Sequence, residues 1–356
     1  MAQALELAAR GLNTTTPNPR VGCVIVANGQ VAGSGWHERA GAPHAEVHAL
    51  AAAGSAARGA TAYVTLEPCS HHGRTPPCAD ALLAAGVARV VAAMQDPNPL
   101  VAGRGLARLA AAGVEVHAGL MEHEARELNI GFVSRMTRGR PWLRLKVAAS
   151  LDGRTALADG RSQWITGAAA RRDGHAWRAR ACAVLTGIGT VRDDNPQLTV
   201  REVPTSRQPL RVVVDSRLET PPQARILAGA REGAPVLIAC AQAEPARAGP
   251  LRDAGADILV LPNAGGKVEL PALMSELGRR GINEIHAEAG VKLNGSLLRE
   301  QCVDELLIYL APCLLGDSGL GMFHLPPLAD LAARRELSIC DLRMVGSDLR
   351  IRARCA

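Results

Sequence analysis

The chain has 356 residues, of which 47% are hydrophobic and only 2% aromatic, and its formal net charge is +6. At a prior of about 150 residues per domain, this length predicts two domains. Positive charge is spread along the chain without a concentrated basic stripe, which argues against nucleic-acid binding. No stretch approaches the roughly 18 uninterrupted apolar residues that a transmembrane helix needs.

The N-terminal segment and the cysteines indicate the compartment. Residues 1–12 lack the basic start and the long apolar run of a secretory signal. Nine cysteines stand at irregular intervals, an odd count that is typical of a reducing compartment, where thiols stay free or bind metal. We therefore expect a cytoplasmic protein.

Short β-like runs alternate with helical stretches rich in Ala and Leu over the first part of the chain. Asn28-Gly29 predicts a tight hairpin turn between strands at 21–27 and 30–35. Further strands are predicted at 61–66 and 88–93, and helices at 44–54, 79–86, 104–113 and 122–132. Strands that alternate with helices are typical of a layered α/β domain.

Residues 135–141 are basic, contain Gly139 and Pro141, and interrupt the apolar pattern. The pattern then restarts, with strands predicted at 142–149, 183–186, 210–215, 235–240, 257–261, 284–288 and 304–311. Helices are predicted at 168–180, 270–280 and 293–300, and a terminal hairpin at 344–353 turns on Gly346-Ser347. The sequence therefore predicts a first domain at 1–138 and a second α/β domain at 141–356.

Two segments contain the residue types of a metal site: Pro43-His44-Ala45-Glu46, and Glu67-Pro68-Cys69 followed by Cys78. One imidazole and two thiolates suit zinc, whereas oxygen ligands alone suit magnesium or calcium. Three protein ligands leave a position for water, as in catalytic zinc sites. An H-x-E segment followed by P-C and a second cysteine is typical of zinc deaminases, in which the glutamate moves protons. We therefore predict His44, Cys69 and Cys78 as Zn²⁺ ligands and Glu46 as the catalytic residue.

All of these residues fall where predicted strands lead into predicted helices. A helix N-terminus at such a place favours the thiolate form of cysteine. The alternative is a closed structural zinc site, which would need His71 or His48 as a fourth protein ligand.

The runs TPNPRVGCVIV, PHAEVHAL and TLEPCSHHGRTPPC resemble the deaminase half of the bifunctional riboflavin-biosynthesis deaminase/reductase family. Generic nucleoside deaminases have P-C-x-x-C, whereas the longer insertion SHHGRTPP between Cys69 and Cys78 is characteristic of this family. The resemblance implies a cytidine-deaminase-like α/β/α layer domain. It also implies contacts to a phosphorylated aminopyrimidine from Asn18, His37, His71 and Arg74. Turn chemistry at Asn18 and an ordinary surface position for His37 are the alternatives.

The second domain contains neither G-x-G-x-x-G after a strand nor a G-x-x-x-x-G-K-[ST] loop, which excludes an ordinary Rossmann site and a P-loop. Glu288-Ala289-Gly290 instead ends a predicted strand and leads into a predicted helix. Backbone amides at such a turn can hold a phosphate. Many helices also begin this way without a ligand, so both interpretations stay open.

Five further stretches, LKVAASLDGRTA, SQWIT, LTGIGTVRDDNPQLTVR, VVVDS and EAGVKLNGSLL, resemble the reductase half of the same family. The resemblance implies a dihydrofolate-reductase-like α/β domain that uses NADPH. The cofactor contacts it implies are Ala148, Trp164, Thr190, Ser216, Gly290, Val291, Lys292, Leu293, Asn294, Gly295 and Ser296. The substrate contacts it implies are Ser162, Arg178, Asp194, Leu198, Arg201 and Glu288.

The proton donor of the reductase is left open by the sequence, with Lys146, Asp152 and Glu288 as candidates. The alternatives are a surface strand for Lys146 and a D-G turn for Asp152. For Trp164, the alternative to a cofactor contact is a position in the hydrophobic core.

The resemblance as a whole implies two consecutive steps of riboflavin synthesis. The first domain deaminates 2,5-diamino-6-ribosylamino-4(3H)-pyrimidinone 5′-phosphate, and the second reduces the ribosyl group of the product to ribityl. Small phosphorylated substrates, a homo-oligomer, and no nucleic-acid or membrane partner are expected. One alternative is a noncatalytic nucleotide-binding second domain. Another is an RNA-editing deaminase, which needs stacking aromatics, but the first 140 residues hold one Tyr, one Trp and one Phe.

Overall fold

The computed structural model describes residues 1–71, 76–99 and 101–355. The chain divides into two compact units, Met1–Gly139 and Arg140–Ala356. Each unit contains its own sheet and its own hydrophobic core. This is the two-domain α/β organisation that the alternating pattern predicts.

The first unit is a five-stranded mixed sheet with helices. Its strands are β1 (Gly22–Ala27), β2 (Gln30–Trp36), β3 (Thr61–Val64), β4 (Arg89–Ala92) and β5 (Glu115–Ala118). Its helices are α1 (Ala2–Ala9), α2 (Ala45–Ala53), α3 (Cys78–Ala84), α4 (Arg104–Ala111), α5 (Glu122–Leu128) and α6 (Ile130–Arg138). The strand order is β2-β1-β3-β4-β5, with β1 antiparallel to both neighbours and the remaining pairs parallel.

Two glycines in β2 allow α2 to lie directly against the sheet. A Cβ at Gly33 would lie 2.3 Å from the Ala49 carbonyl oxygen, and one at Gly35 would lie 2.7 Å from the Ala45 carbonyl oxygen. Any larger residue there would push α2 away from β2. Because α2 begins just after His44, this contact also sets where His44 and Glu46 lie.

The second unit is built on a nine-stranded sheet. Its strands are β6 (Trp142–Ser150), β7 (Ala183–Gly187), β8 (Leu210–Val214), β9 (Val236–Cys240), β10 (Ala256–Val260), β11 (Glu284–Glu288), β12 (Glu305–Ala311), β13 (Leu337–Val345) and β14 (Asp348–Cys355). Its helices are α7 (Ala168–Arg180), α8 (Ile188–Asp194), α9 (Pro245–Asp253), α10 (Leu270–Arg279) and α11 (Val291–Arg299).

The order of this sheet is β10-β9-β8-β7-β11-β6-β12-β14-β13. The seven strands from β10 to β12 are parallel, and only β14 and β13 run antiparallel to their neighbours. Separate apolar clusters involve these strands, one with α10 and α11 and another with α9. The carboxyl ends of adjacent parallel strands therefore lie along one edge, where α/β sheets usually bind ligands.

Most predicted elements are present, and the exceptions have local causes. Asn28 and Gly29 both have positive φ, as a two-residue hairpin turn requires. The predicted helix at 122–132 is wrong, since it is two helices separated at Asn129, whose side chain is buried and bonded elsewhere. Four elements were not predicted: α1, β5, α8 and α9. The terminal hairpin turns at Gly346-Ser347 as predicted, but β13 begins earlier, at Leu337.

The longest helix, α7, has 13 residues. No helix in the described ranges is both long enough and apolar enough to cross a membrane. All nine cysteines are free thiols.

Candidate functional site

Three segments of the first unit bring one imidazole and two thiols together. His44 precedes α2, Cys69 lies beyond the end of β3, and Cys78 begins α3. His44 Nδ1 lies 3.1 Å from Cys78 Sγ and 3.6 Å from Cys69 Sγ, and all three ligand atoms lie within 4.8 Å of one another. Tetrahedral zinc with its usual bond lengths places such atoms roughly 3.6–3.8 Å apart. The donor set and the spacing therefore fit Zn²⁺.

The surroundings of Cys69 favour its ionised form. The thiol of Cys78 donates toward Cys69 Sγ and lowers the pKa of Cys69 to about 4. The backbone N–H of Cys78, at the start of α3, also donates to Cys69 Sγ at 3.3 Å. Since thiolate is the ligating form of cysteine, the cluster is ready to take a cation.

Glu46 lies in the first turn of α2, two residues after His44, and is only 3% exposed. Its Oε2 atom has no hydrogen-bond partner among the described residues. Burial raises the pKa of Glu46 to about 7. A carboxyl group that titrates near neutral pH is suited to accept and return a proton.

His37 and Asn18 form a second layer beside this cluster. The His37 ring lies edge-on to the His44 ring, with 5.4 Å between centroids. His37 Nδ1 lies 3.1 Å from the Pro43 carbonyl oxygen and Nε2 lies 3.0 Å from Asn18 Nδ2. The carbonyl can only accept, so Nδ1 carries the proton and Nε2 accepts from the amide. Burial lowers the pKa of His37, consistent with a neutral ring. The surface alternative for His37 is wrong, since it is 3% exposed.

The remaining predictions for the first unit have mixed outcomes. Among the described residues, the potential metal-ligand group contains neither His48 nor His71, so it offers no fourth protein ligand. His71 is exposed, at the edge of the described range. Arg74 lies outside the described residues, so its predicted substrate contact stays a prediction.

Charged side chains converge at the end of β11 in the second unit. Arg178, on α7, forms a two-pronged ion pair with Glu288, one contact of which measures 3.0 Å. Lys146 on β6 places Nζ 3.9 Å from Glu288 Oε2. Burial alone would raise the pKa of Glu288, but the Arg178 guanidinium holds it well below its usual range. Burial lowers the pKa of Lys146, so it is a stronger acid here than in water.

His175 joins a fourth charged residue, Arg201, to this group. The backbone N–H of Arg201 donates to His175 Nδ1 at 3.2 Å, and the Arg178 guanidinium lies 3.4 Å from His175 Nε2. Burial lowers the pKa of His175 to about 4, so the ring is neutral. His175 was not predicted, because a histidine inside a helix carries no sequence signal. The structure thus brings together Arg178, Glu288 and Arg201.

The other three predicted substrate residues lie in different settings. Leu198 is buried in an apolar cluster and has φ of +52°. Asp194 ends α8 and is exposed, and Ser162 lies in the segment before α7. Their substrate contacts stay predictions.

The start of α11 meets the start of α8 at the carboxyl ends of the adjacent strands β11 and β7. A Cβ at Gly290 would lie 3.9 Å from Thr190 Oγ1, and one at Gly187 would lie 3.0 Å from Leu293 Cδ2. Gly290 is the N-cap of α11, and no side chain caps this helix. Its first N–H groups, including those of Val291 and Lys292, can therefore donate to an anion such as a cofactor phosphate.

The next residues of α11 face a neighbouring segment of the chain. Asn294 is 2% exposed and donates from Nδ2 to the Met322 carbonyl oxygen at 3.1 Å. A Cβ at Gly295 would lie 2.0 Å from the His324 carbonyl oxygen. Ser296 Oγ accepts from Arg299 at 2.8 Å. These contacts give the three residues a packing role, and their cofactor contacts stay predictions.

The remaining predictions concern four separate positions. Trp164 is 70% exposed with the Arg171 guanidinium 4.6 Å from its ring centroid, so its core alternative is wrong. Ala148 lies in β6, and Ser216 Oγ accepts from the Val268 N–H at 3.2 Å. Asp152 accepts from the backbone N–H groups of 315 and 316 at 3.2 and 2.8 Å, and its candidacy as proton donor stays a prediction.

Each of the two units matches a known protein-family model. Residues 1–94 match the model of the cytidine and deoxycytidylate deaminase zinc-binding region. Residues 141–348 match the model of the RibD C-terminal domain. The matches agree with the metal-ligand geometry of the first unit and with the fold of the second.

Full-length relatives match across nearly the whole chain. The riboflavin biosynthesis protein RibD of Escherichia coli (strain K12) is 52% identical over 361 residues, covering 98% of this chain and 96% of the relative. The solved structure of Acinetobacter baumannii RibD, form 1, is 45% identical with a TM-score of 0.92, covering 100% of this chain and 97% of that one.

A Thermotoga maritima structure is described as a diaminohydroxyphosphoribosylaminopyrimidine deaminase/5-amino-6-(5-phosphoribosylamino)uracil reductase. It is 33% identical with a TM-score of 0.88, covering 100% of this chain and 97% of that one. These matches confirm the predicted family resemblance and the predicted fold class.

Proposed function

The chain belongs to the RibD family of bifunctional riboflavin-biosynthesis enzymes, with Zn²⁺ and NADPH as cofactors, and on this premise we propose how its residues divide the work. Residues 1–138 deaminate 2,5-diamino-6-ribosylamino-4(3H)-pyrimidinone 5′-phosphate. Residues 141–356 reduce the ribosyl group of the product, 5-amino-6-(5-phosphoribosylamino)uracil, to ribityl. The observation that carries the proposal is the convergence of His44, Cys69 and Cys78 beside a buried carboxylate.

His44 Nδ1 and the two cysteine sulfurs hold the zinc ion. Zinc, when bound, supplies Lewis acidity that makes water nucleophilic near neutral pH. Glu46 Oε2 takes one proton from the attacking water and passes it to the ring nitrogen. It then carries a second proton, from the resulting hydroxyl group, to the departing amine. One water enters, ammonia leaves, and a carbonyl replaces the carbon–nitrogen bond. Burial keeps Glu46 away from bulk water, so it exchanges protons mainly with the reactants.

Asn18 contacts the pyrimidine, and His37 orients the Asn18 side chain. Because His37 Nε2 accepts from Asn18 Nδ2, the Asn18 amide oxygen is turned away from the ring. That oxygen is then available to accept from a substrate amino group. A charged His37 would donate from Nε2 and could not accept from the amide, so the neutral ring supports this arrangement.

Lys146 is the proton donor of the reductase. NADPH supplies the hydride, so the protein has to orient the substrate and provide one proton. Lys146 is cationic, and burial lowers its pKa even though the nearby Glu288 carboxylate opposes that shift, so it releases a proton more readily than a lysine in water. Arg178 is committed to Glu288 and keeps that carboxylate ionised, so Glu288 itself holds no proton to give.

The protein works as a homo-oligomer, paired through the edge strand β13. Leu337, Ile339, Leu342 and Met344 are 44%, 64%, 59% and 62% exposed. Their register partners are residues 355, 353, 351 and 349, so the bulge after Ile339 keeps all four side chains on one face. An exposed apolar edge strand invites pairing with another chain. Sedimentation of wild type and of Ile339→Lys would test this, with a smaller species expected for the variant.

The cytoplasm is the proposed compartment, and phosphorylated aminopyrimidines are the proposed partners. Free thiols at all nine cysteines suit a reducing environment, where Cys69 and Cys78 stay available as ligands.

A coupled assay on the zinc-loaded, full-length protein tests the proposal. Ammonia release and NADPH oxidation are followed separately from the diaminopyrimidine ribosyl phosphate. We expect ammonia first and NADPH consumption after it. Ammonia without NADPH oxidation, even with deaminated substrate supplied, would indicate a noncatalytic second unit. If the zinc-loaded protein gave neither ammonia release nor NADPH oxidation, the substrate assignment would be contradicted.

A further inference from the structure

Glu67 is a buried carboxylate that lies two residues before the predicted zinc ligand Cys69. It is 5% exposed, and both of its oxygens face backbone N–H groups from a distant part of the chain. Oε1 accepts from Gly105 at 2.8 Å and from Leu106 at 3.3 Å. Oε2 accepts from Asp96 at 3.0 Å and from Gly103 at 2.9 Å. The proposed chemistry of the first unit makes no use of this side chain.

Three of the four contacts, those from Gly103, Gly105 and Leu106, show that Glu67 caps helix α4 from outside that helix. The N-cap of α4 is Gly103, which has no side chain and a left-handed φ of +77°. The first N–H groups of a helix need an acceptor, and a carboxylate there also interacts favourably with the helix dipole. Glu67 supplies both from 36 to 39 residues earlier in the chain.

A close backbone contact ties the same helix to the residue between Glu67 and Cys69. A Cβ at Gly105 would lie 1.9 Å from the Pro68 carbonyl oxygen. The first turn of α4 is therefore pressed directly against the Pro68–Cys69 peptide. In addition, the Glu67 N–H donates to the Met94 carbonyl oxygen at 2.9 Å. The chain just before Cys69 is thus held by a carboxylate, a helix turn and a strand-like hydrogen bond.

We infer that Glu67 is a positioning residue of the zinc site, acting through Pro68 to set the place of Cys69. The inference rests on the proposed function, since it takes Cys69 as a zinc ligand. Cys69 in turn accepts from the Cys78 N–H, so a displacement of Cys69 would also disturb the second thiolate. Residues that orient metal ligands typically change metal affinity by roughly 10–100-fold when replaced.

Two variants disturb this arrangement by different means. In Glu67→Gln, the shape is kept, but the new NH₂ group must face N–H donors that the carboxylate accepted from. In Gly105→Ala, Glu67 is kept, and the added methyl group pushes on the Pro68 carbonyl. Glu67→Asp keeps a head group that only accepts and should recover part of the wild-type behaviour. Ala110→Gly is the control, because it weakens α4 at an exposed position away from these contacts.

The experiment measures metal binding by the full-length chain, with thermal unfolding of the same sample as the folding control. Zinc affinity is obtained by chelator competition, and Co²⁺ is used as a spectroscopic probe of ligand geometry. Each variant is measured below its unfolding temperature. We expect Glu67→Gln and Gly105→Ala to bind zinc 10–100-fold more weakly, with an altered cobalt absorption band. Ala110→Gly should match wild type in both.

One result would overturn the inference: Glu67→Gln with a lower unfolding temperature but the zinc affinity and cobalt spectrum of wild type. Glu67 would then only stabilise α4. Failure of wild type itself to bind zinc or cobalt would instead overturn the proposed function, and the two failures are distinguishable.

Discussion

The metal-ligand group of the first unit and the charged group of the second are assembled in different ways. In the first, the ligand atoms of His44, Cys69 and Cys78 lie within 4.8 Å of one another. In the second, Arg178, Lys146 and Glu288 already form ion pairs among themselves. The first group leaves ligand atoms for an added cation, whereas the second balances one of its two positive charges with its own carboxylate.

This difference separates two ways of holding polar groups in a protein interior. Ligand atoms gathered this closely in a protein interior are costly unless a metal satisfies them, so the first group depends on zinc. Ion-paired groups satisfy one another, so removal of one partner from the second group should destabilise its own unit. Metal removal should therefore abolish activity at the first site. Substitution within the second group should instead lower the stability of the second unit.

Replacement of Glu46 should have the largest effect. Glu46→Gln removes the group proposed to move protons, and general acid–base groups contribute about 10²- to 10⁴-fold to rate. Ammonia release should fall by that factor, while NADPH oxidation with deaminated substrate stays at the wild-type rate. Ammonia release above about a tenth of wild type would contradict the role of Glu46.

Arg178→Met tests whether the second group stabilises its unit. The Arg178 and Glu288 side chains are 14% and 15% exposed, so the variant leaves a mostly buried carboxylate without its main partner. Breaking such a pair costs roughly 3–5 kcal/mol. Urea unfolding followed by tryptophan fluorescence would measure the loss. Arg172→Met, at an exposed position of the same helix, is the matched control and should change little.

Glu305 should make the unfolding free energy of the same unit sensitive to acid. Its carboxylate accepts from Arg144 at 2.7 Å and from Arg352 at 2.8 Å. Burial opposes ionisation, but these guanidinium groups lower the pKa of Glu305 from 4.5 to about 2. A lowered folded-state pKa stabilises the protein above the unfolded-state pKa, and this is lost as pH falls from about 4.5 towards 2.

The expected size of this term is roughly 3 kcal/mol, to order of magnitude. About 2 kcal/mol of it should be lost between pH 6 and pH 3, because pH 3 still lies above the folded-state pKa. This loss is measured as the drop in unfolding free energy between the two pH values. Glu305→Gln should show a shallower drop than wild type, while Glu336→Gln, at an exposed position, should not. Parallel pH curves for wild type and Glu305→Gln would show that Glu305 is not responsible.

Lys146→Arg separates charge from proton donation in the reductase. Arginine keeps the positive charge beside Glu288 but does not release a proton at working pH. NADPH oxidation with deaminated substrate should fall by about 10²-fold in kcat, with ammonia release unchanged. A variant with near-normal kcat would assign the proton to another group.

Asn129→Ala should have the smallest effect, and it falls on the first unit. Asn129 is 1% exposed and pairs with the Arg20 backbone, accepting from its N–H at 2.8 Å and donating to its carbonyl at 2.9 Å. Loss of both bonds should cost about 1–3 kcal/mol. Because Arg20 lies two residues after Asn18, KM for deamination should rise more than kcat falls. Asn129→Asp, which keeps the acceptor, should have a KM between those of wild type and Asn129→Ala. Equal KM values for wild type and Asn129→Ala would contradict the link between Asn129 and Asn18.

The sequence predicts the features that depend on near neighbours. The hairpin at Asn28-Gly29 follows from two residues that tolerate positive φ, and α7 follows from the apolar pattern at 168–180. The metal-ligand group is readable because its residue types have few other reasons to recur at that spacing. These signals are local, so they do not depend on how the chain folds back on itself.

Other features depend on contacts between distant residues and could not be read. The break between α5 and α6 is at Asn129, whose partner is 109 residues away. The cap on α4 comes from Glu67, although that residue stands inside a recognised motif. In the second unit, the roles of Lys146 and Asp152 differ only through their tertiary partners.

The most direct test of this contrast is metal removal from one sample of the wild-type, full-length protein. A chelator is added, and ammonia release and NADPH oxidation are each measured with the appropriate substrate, followed by unfolding in urea. We predict that ammonia release disappears and returns with added Zn²⁺, while NADPH oxidation and the stability of the second unit are unchanged. Loss of both activities on chelation, or of neither, would contradict the account of a metal-dependent first site and a self-sufficient second one.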